Sequence, residues 1–197
     1  MHGVPNAWHA FLKLGEASFS FVFIPGNETK ETVMGQTHAG TGAGSSAPGT
    51  VQHIALNVDT MDDLLTLRDR IRSRGVPVFG PLDHGLCHSI YFAGPENLTL
   101  EIATSDQVAH PLDGNGTWID SEVASLAGIS PEELEQFKHP EVFEGHGGAI
   151  KQPAFDAGKP HLAYPKEAYP VMLNMPDSAF NTKPEDQIPP GIGQQES

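Results

Sequence analysis

His53 and Glu101 are the two residues whose type and position point first to chemistry. Each falls in the middle of a strand-like segment, on the face opposite that segment's aliphatic side chains. In VQHIALNV, Ile54, Leu56 and Val58 share one face, leaving Val51, His53, Ala55 and Asn57 on the other. In LTLEIA, Leu98, Leu100 and Ile102 share one face, leaving Thr99, Glu101 and Ala103 opposite. An imidazole nitrogen and a carboxylate oxygen are good donors to a divalent cation. An ionised carboxylate on an inward face needs a cation or a solvent cavity, because burying it unpaired costs several kcal/mol. Both residues are therefore read as candidate metal ligands.

The elements around them predict one β-α-β-β-β unit from Val51 to Ala103. Cys87–Phe92 and Leu98–Ala103 form a hairpin about the turn-like Gly94-Pro95-Glu96-Asn97. TMDDLLTLRDRIRSRG reads as an amphipathic helix that covers the aliphatic faces. Thr60 and Asp63 form its start signal, and Gly75 with Pro77 its stop. The opposite face is left free to form a site.

This block resembles one module of the vicinal oxygen chelate superfamily, which contains glyoxalases, bleomycin-resistance proteins and extradiol dioxygenases. The finer resemblance is to the extradiol signature: His84, five residues, Ile90-Tyr91, then Pro95 and a closing Glu101. Leu82, Gly94 and Asn97 depart from it. The resemblance implies an α+β fold of paired β-α-β-β-β modules forming a cupped mixed sheet around a divalent metal. Fe(II) is the metal it favours, with Mn(II) or another divalent ion as alternatives. It places His84 and Tyr91 beside the substrate, as proton exchanger and hydrogen-bond donor, and implies a small aromatic or vicinal-oxygen substrate together with O2. A third ligand, a His, would come from the first strand of the preceding module.

An internal repeat supports paired modules. His9, Gly15, Ser18 and Phe21 align with His88, Gly94, Asn97 and Leu100 at a constant offset of 79 (88−9, 94−15, 97−18, 100−21). Strands are expected at 8–15 and 18–23. The partner of Glu101 is Val22, and that of His53 would precede the chain, so the first module is expected to be incomplete at its N-terminus and to supply no ligand. The resulting division is 1–24 incomplete first module, 25–50 Gly-rich linker, 51–105 second module, and 106–197 irregular C-terminal extension. The linker is read as a mobile crossover. Short helices are expected at Trp118–Leu126, Ser130–Phe137 and near Lys166–Asn174, anchored by Trp118, Phe137, Tyr164 and Tyr169, with an unstructured end beyond about residue 181.

Composition narrows the class. The formal charge of −14 repels nucleic acid and anionic membrane surfaces, and no apolar run has the roughly 18 residues needed to span a bilayer. One cysteine, Cys87, cannot form an internal disulfide, in keeping with a cytoplasmic protein. A homo-oligomer is expected, since an incomplete module leaves a sheet edge to cover. The expected activity is that of a metal-dependent extradiol-type dioxygenase on a catechol-like diol. The alternatives are a glyoxalase-type lyase or isomerase, which four ligands across two modules would favour and Val22 counts against, and a non-catalytic binding protein of the bleomycin-resistance type or a degenerate member.

Overall fold

In the computed structural model, residues 5–14, 17–112, 116–176 and 178–179 are described. Two units are separately compact: Lys30–Glu141, and Met1–Thr29 with Val142–Ser197.

Alternation along the central strands of the first unit builds its sheet. β3 (Ile54–Asn57), α1 (Met61–Arg72), β4 (Val78–Asp83), β5 (His88–Ala93) and β6 (Thr99–Thr104) follow in chain order, and the sheet runs β3-β6-β5-β4. β3 is parallel to β6, and the other two pairings are antiparallel. This mixed sheet with its helix is the expected α+β unit. Ile90 sits opposite Ile102, and both pack with Val78 and the fully buried Leu64 of α1. Val58, Met61, Leu67, Ile71 and Phe92 surround this cluster. The helix thus covers one face, and the residues one step along each strand, Tyr91 and Glu101 among them, take the other.

Local chemistry fixes each connection. Thr60 Oγ1 accepts from the Asp63 amide at 3.1 Å, so the predicted start signal is a true cap. The Met61 amide donates to Asp106 Oδ2 at 2.9 Å, tying the start of α1 to the end of β6. In β4 the pairing register shifts between Phe79 and Leu82, around Gly80. Gly80 has φ +102°, and a Cβ there would lie 2.4 Å from the Ser89 carbonyl oxygen, so only glycine fits. The shift leaves Phe79 opposite Tyr91 and Leu82 opposite Ser89, on the face that carries Glu101.

Two expectations for this unit need correction. VQHIALNV does not form one continuous strand: β3 starts at Ile54, and Val51 makes an isolated parallel bridge with His38. The stretch before β3 is engaged by the preceding loop instead of by β6. The Gly-rich segment is not a free crossover either. Ala39 is fully buried and His38 nearly so, and the Ala39 carbonyl accepts from Thr99 Oγ1 at 3.2 Å. Small residues let this backbone lie close against the sheet, so here Gly and Ala signal close packing instead of looseness.

Two short helices follow in the same unit, α2 (Ser121–Leu126) and α3 (Pro131–Lys138). α3 has the predicted capping box between Ser130 and Glu133. Trp118 donates from Nε1 to the His110 carbonyl at 2.9 Å, whereas Phe137, expected as an anchor, is 68% exposed.

The second unit contains the hairpin β1 (Trp8–Leu14) and β2 (Ala17–Phe23), and α4 (Ala168–Asn174). The sequence repeat does not extend to register. Leu14 pairs with Ala17, whereas in the later hairpin Ala93 pairs with Thr99. The later turn is longer because Pro95 starts a short 3-10 turn, closed by the Leu98 amide donating to the Pro95 carbonyl. Tyr169 of α4 is buried against Phe155, with ring centroids 4.3 Å apart, while Tyr164 is half exposed. The expectation for residues beyond about 181 lies outside the described residues. No described helix is long and apolar enough to cross a membrane.

Candidate metal-binding site

Parallel pairing of β3 with β6 places Ala55 beside Glu101. His53, two residues earlier and on the same side, reaches the same carboxylate: Nε2 lies 2.9 Å from Oε2. Glu101 is only 6% exposed. Antiparallel pairing of β5 with β6 sets Tyr91 directly opposite Glu101. A tight turn, in which the His84 amide donates to the Cys87 carbonyl at 2.9 Å, returns His84 over Tyr91. His84 Nε2 and Tyr91 Oη are 3.2 Å apart. The Tyr91 ring stands edge-on to both imidazoles, with centroids 6.2 Å from His53 and 6.1 Å from His84. All four residues singled out from the sequence therefore meet in one row, His53, Glu101, Tyr91, His84.

The environment of Tyr91 raises its phenol pKa to about 12, from 10.0, chiefly by burial and then by its hydrogen bond to Glu101 and that carboxylate's charge. Ser89 opposes the shift. Tyr91 therefore keeps its phenol proton at neutral pH and is available there as a hydrogen-bond donor. A stability consequence follows. The folded-state pKa lies above the unfolded value, so the folded chain holds the proton more tightly between pH 10 and about 12. This contribution is complete below pH 10 and is lost as pH rises through about 12. Alkaline absorbance titration should show one of the three tyrosines ionising late, and Tyr91→Phe should remove both that late step and part of the alkaline fall in stability.

His53 and Glu101 fit a divalent ion in donor type and spacing. Ligands about 2.1 Å from an ion at right angles to one another stand about 3 Å apart, close to the separation found here. In number they are one short of a three-residue set, since among the described residues no third His, Cys, Asp or Glu joins them.

Three participants escaped the sequence reading. Gln52 bridges from His53 to the preceding loop: its side-chain oxygen contacts His53 Nδ1, and its Nε2 donates to the carbonyls of Gly42 at 2.7 Å, Gly44 at 3.2 Å and Thr41 at 3.4 Å. Gly42 lies against the Tyr91 ring, where an added Cβ would meet Cε1 at 3.0 Å. Phe79, 71% exposed, shares Tyr91's face across the strand pair. The alternation of β4 carried the signal for Phe79; nothing in the loop's composition announced Gly42.

A family model described as Glyoxalase/Bleomycin resistance protein/Dioxygenase superfamily matches residues 2–102, just over half of the chain. Among solved structures, an integron cassette protein from the mobile metagenome of the Halifax Harbour sewage outfall is similar at 22% identity, with a TM-score of 0.26. That match covers 43% of this chain and 66% of the other, just under two thirds of its length. No curated protein matches the chain.

Proposed function

The chain belongs to the Glyoxalase/Bleomycin resistance protein/Dioxygenase superfamily, and from that premise we propose that it is a metal-dependent, extradiol-type dioxygenase-like protein acting on a catechol-like aromatic diol. The observation that carries this reading is the row His53–Glu101–Tyr91–His84, in which a pair of donors suited to a cation adjoins a pair suited to moving a proton. His53 Nε2 and Glu101 Oε2 would hold the metal, Fe(II) in the first place or Mn(II). When bound, the metal supplies a charged centre with open positions for the vicinal oxygens of a diol and for O2.

The protein's own groups do the rest. With the phenol proton directed at Glu101, the Tyr91 oxygen is free to accept from His84 Nε2. A diol hydroxyl entering beside Tyr91 can exchange its proton with His84, whose imidazole has both a donor and an acceptor nitrogen to serve as general acid or base. Phe79 and the Tyr91 ring offer apolar surface to a flat aromatic substrate, and Gly42 closes over the ring without a side chain in the way. Ordering substrate beside these groups replaces a chance encounter with an internal reaction.

Fe(II)-loaded protein mixed with a panel of catechols should consume O2 and yield the absorbance of a ring-opened product, and His84→Ala should lower kcat by about 100-fold or more, the range a positioned acid–base group contributes. Iron-loaded protein that consumes no O2 with any catechol would overturn the extradiol reading. The two-donor set also favours a second reading, non-catalytic binding of an aromatic ligand, as in bleomycin-resistance proteins. That reading predicts ligand capture without metal.

A further inference from the structure

We propose that the C-terminal part of the chain carries a second ligand site, a cavity walled by α4 and the segment 152–164, which takes a small aromatic carboxylate. The site is independent of the metal-site reading above and uses none of its residues.

The segment has few aliphatic side chains, and it meets α4 through aromatic rings. Phe155 lies against Tyr169 with ring centroids 4.3 Å apart and an interplanar angle of 30°. His161 stands edge-on to both, at 5.3 and 6.1 Å, and Tyr164 stands edge-on to Tyr169 at 6.3 Å. The His161 ring is fixed by its own turn, where Nδ1–H donates to the Lys159 carbonyl at 2.7 Å. These rings, with Met172 and Leu173 of α4, line a cavity of about 340 Å³, within the usual size range of small-molecule sites. A neighbouring hollow of about 620 Å³ shares Phe155, Tyr169 and Leu173, so Tyr169 belongs to the wall of both.

Two groups in this wall lack a partner. Tyr169 is 7% exposed, and its hydroxyl, closed off from solvent, has no hydrogen-bond partner among the described residues. A buried hydroxyl left unpaired destabilises the fold, so one that is kept points to a partner from outside the chain. Lys159 lines the same cavity, and no carboxylate among the described residues pairs with it. The nearest acid in sequence, Asp156, instead accepts from the Gly158 amide at 2.8 Å, in the turn that presents Lys159. A hydroxyl donor and an ammonium donor in a ring-lined cavity suit a guest with two acceptor oxygens on a flat apolar body. A carboxylate supplies the oxygens and the charge. An aromatic ring supplies a face and an edge to Phe155 and Tyr164, both of which remain partly exposed.

Benzoate is the probe, with benzamide as its uncharged counterpart, and both are titrated calorimetrically into the full chain. Wild type should bind benzoate at millimolar concentration or below, and more tightly than benzamide, with the preference shrinking as salt rises. Tyr169→Phe keeps the ring. It should weaken benzoate binding about 10-fold, the scale of one hydrogen bond to a charged group, while the urea midpoint stays the same or rises because an unpaired hydroxyl is gone. Lys159→Met should weaken benzoate about 3-fold, as for an exposed ion pair, and leave benzamide unchanged. Tyr91→Phe, at the other site, should alter neither. The proposal is overturned by absence of benzoate binding at millimolar concentration, by unchanged affinity in Tyr169→Phe or Lys159→Met, or by loss of binding in Tyr91→Phe. A lowered midpoint in Tyr169→Phe would overturn it too, by giving the hydroxyl a partner within the fold.

Discussion

Glu101→Gln is expected to weaken binding of Mn(II) or Fe(II) by about 100-fold or more while leaving the fold intact. Gln matches the carboxylate in size and can still reach His53 Nε2, now as an amide, so strand pairing and burial are kept. What disappears is the negative charge. In a site whose carboxylate is 6% exposed, the attraction between that charge and a divalent ion is weakly screened. Breaking a buried charge pair by removing one partner costs about 3–5 kcal/mol, which converts to at least about 100-fold in affinity. The check is metal titration beside urea unfolding of the same protein. Unchanged affinity with an unchanged unfolding midpoint would remove Glu101 from the ligand set.

Leu64→Ala is expected to be the most damaging single change to the fold of the Lys30–Glu141 unit. Leu64 is fully buried and meets Val78, Ile90 and Ile102 from the helix side. Truncation leaves a cavity that close-packed neighbours fill only in part, at a cost of about 3 kcal/mol. Domains are stable by only about 5–15 kcal/mol, so this is a large share. Because Ile90 and Ile102 each adjoin a site residue in sequence, Tyr91 and Glu101, loosening one face of the sheet should also broaden the site on the other. Urea unfolding should show a lower midpoint with an unchanged slope, and Leu64→Met, which conserves volume, should cost less than about 1.5 kcal/mol. A loss below about 1 kcal/mol for the alanine variant would mean that the helix does not pack as described.

Much of this was legible in the sequence, for a physical reason. Period-two alternation assigns faces, and a helix with one apolar stripe must cover the aliphatic one, so His53, Glu101 and Tyr91 were bound to share the other side. All three C-terminal helices lie where the sequence reading expected them, and one of them, α3, announced itself by its Ser130 capping box and Pro131 start. Contacts made by backbone and by small residues were not. The Thr37–Gly44 stretch has the composition of a flexible linker, yet a buried Ala39, the Gly42–Tyr91 contact and three carbonyls held by Gln52 give it a defined place. Composition reports which side chains are present, and here the missing side chains make the contact. The break of the first strand at Ile54 has the same origin, because the loop competes for Val51 through the bridge to His38. The hairpin registers likewise depend on turn length, which a residue-by-residue repeat does not encode.

His53 and Glu101 are proposed to hold one divalent ion together. Metal content of the full chain, prepared without oxygen and reconstituted with Fe(II) or Mn(II), tests it most directly when measured beside His53→Ala and Glu101→Ala. Close to one ion per wild-type chain is expected, with loss of that ion in both variants. A wild-type chain that takes up neither metal, or variants that retain it in full, would rule out a metal held by this pair.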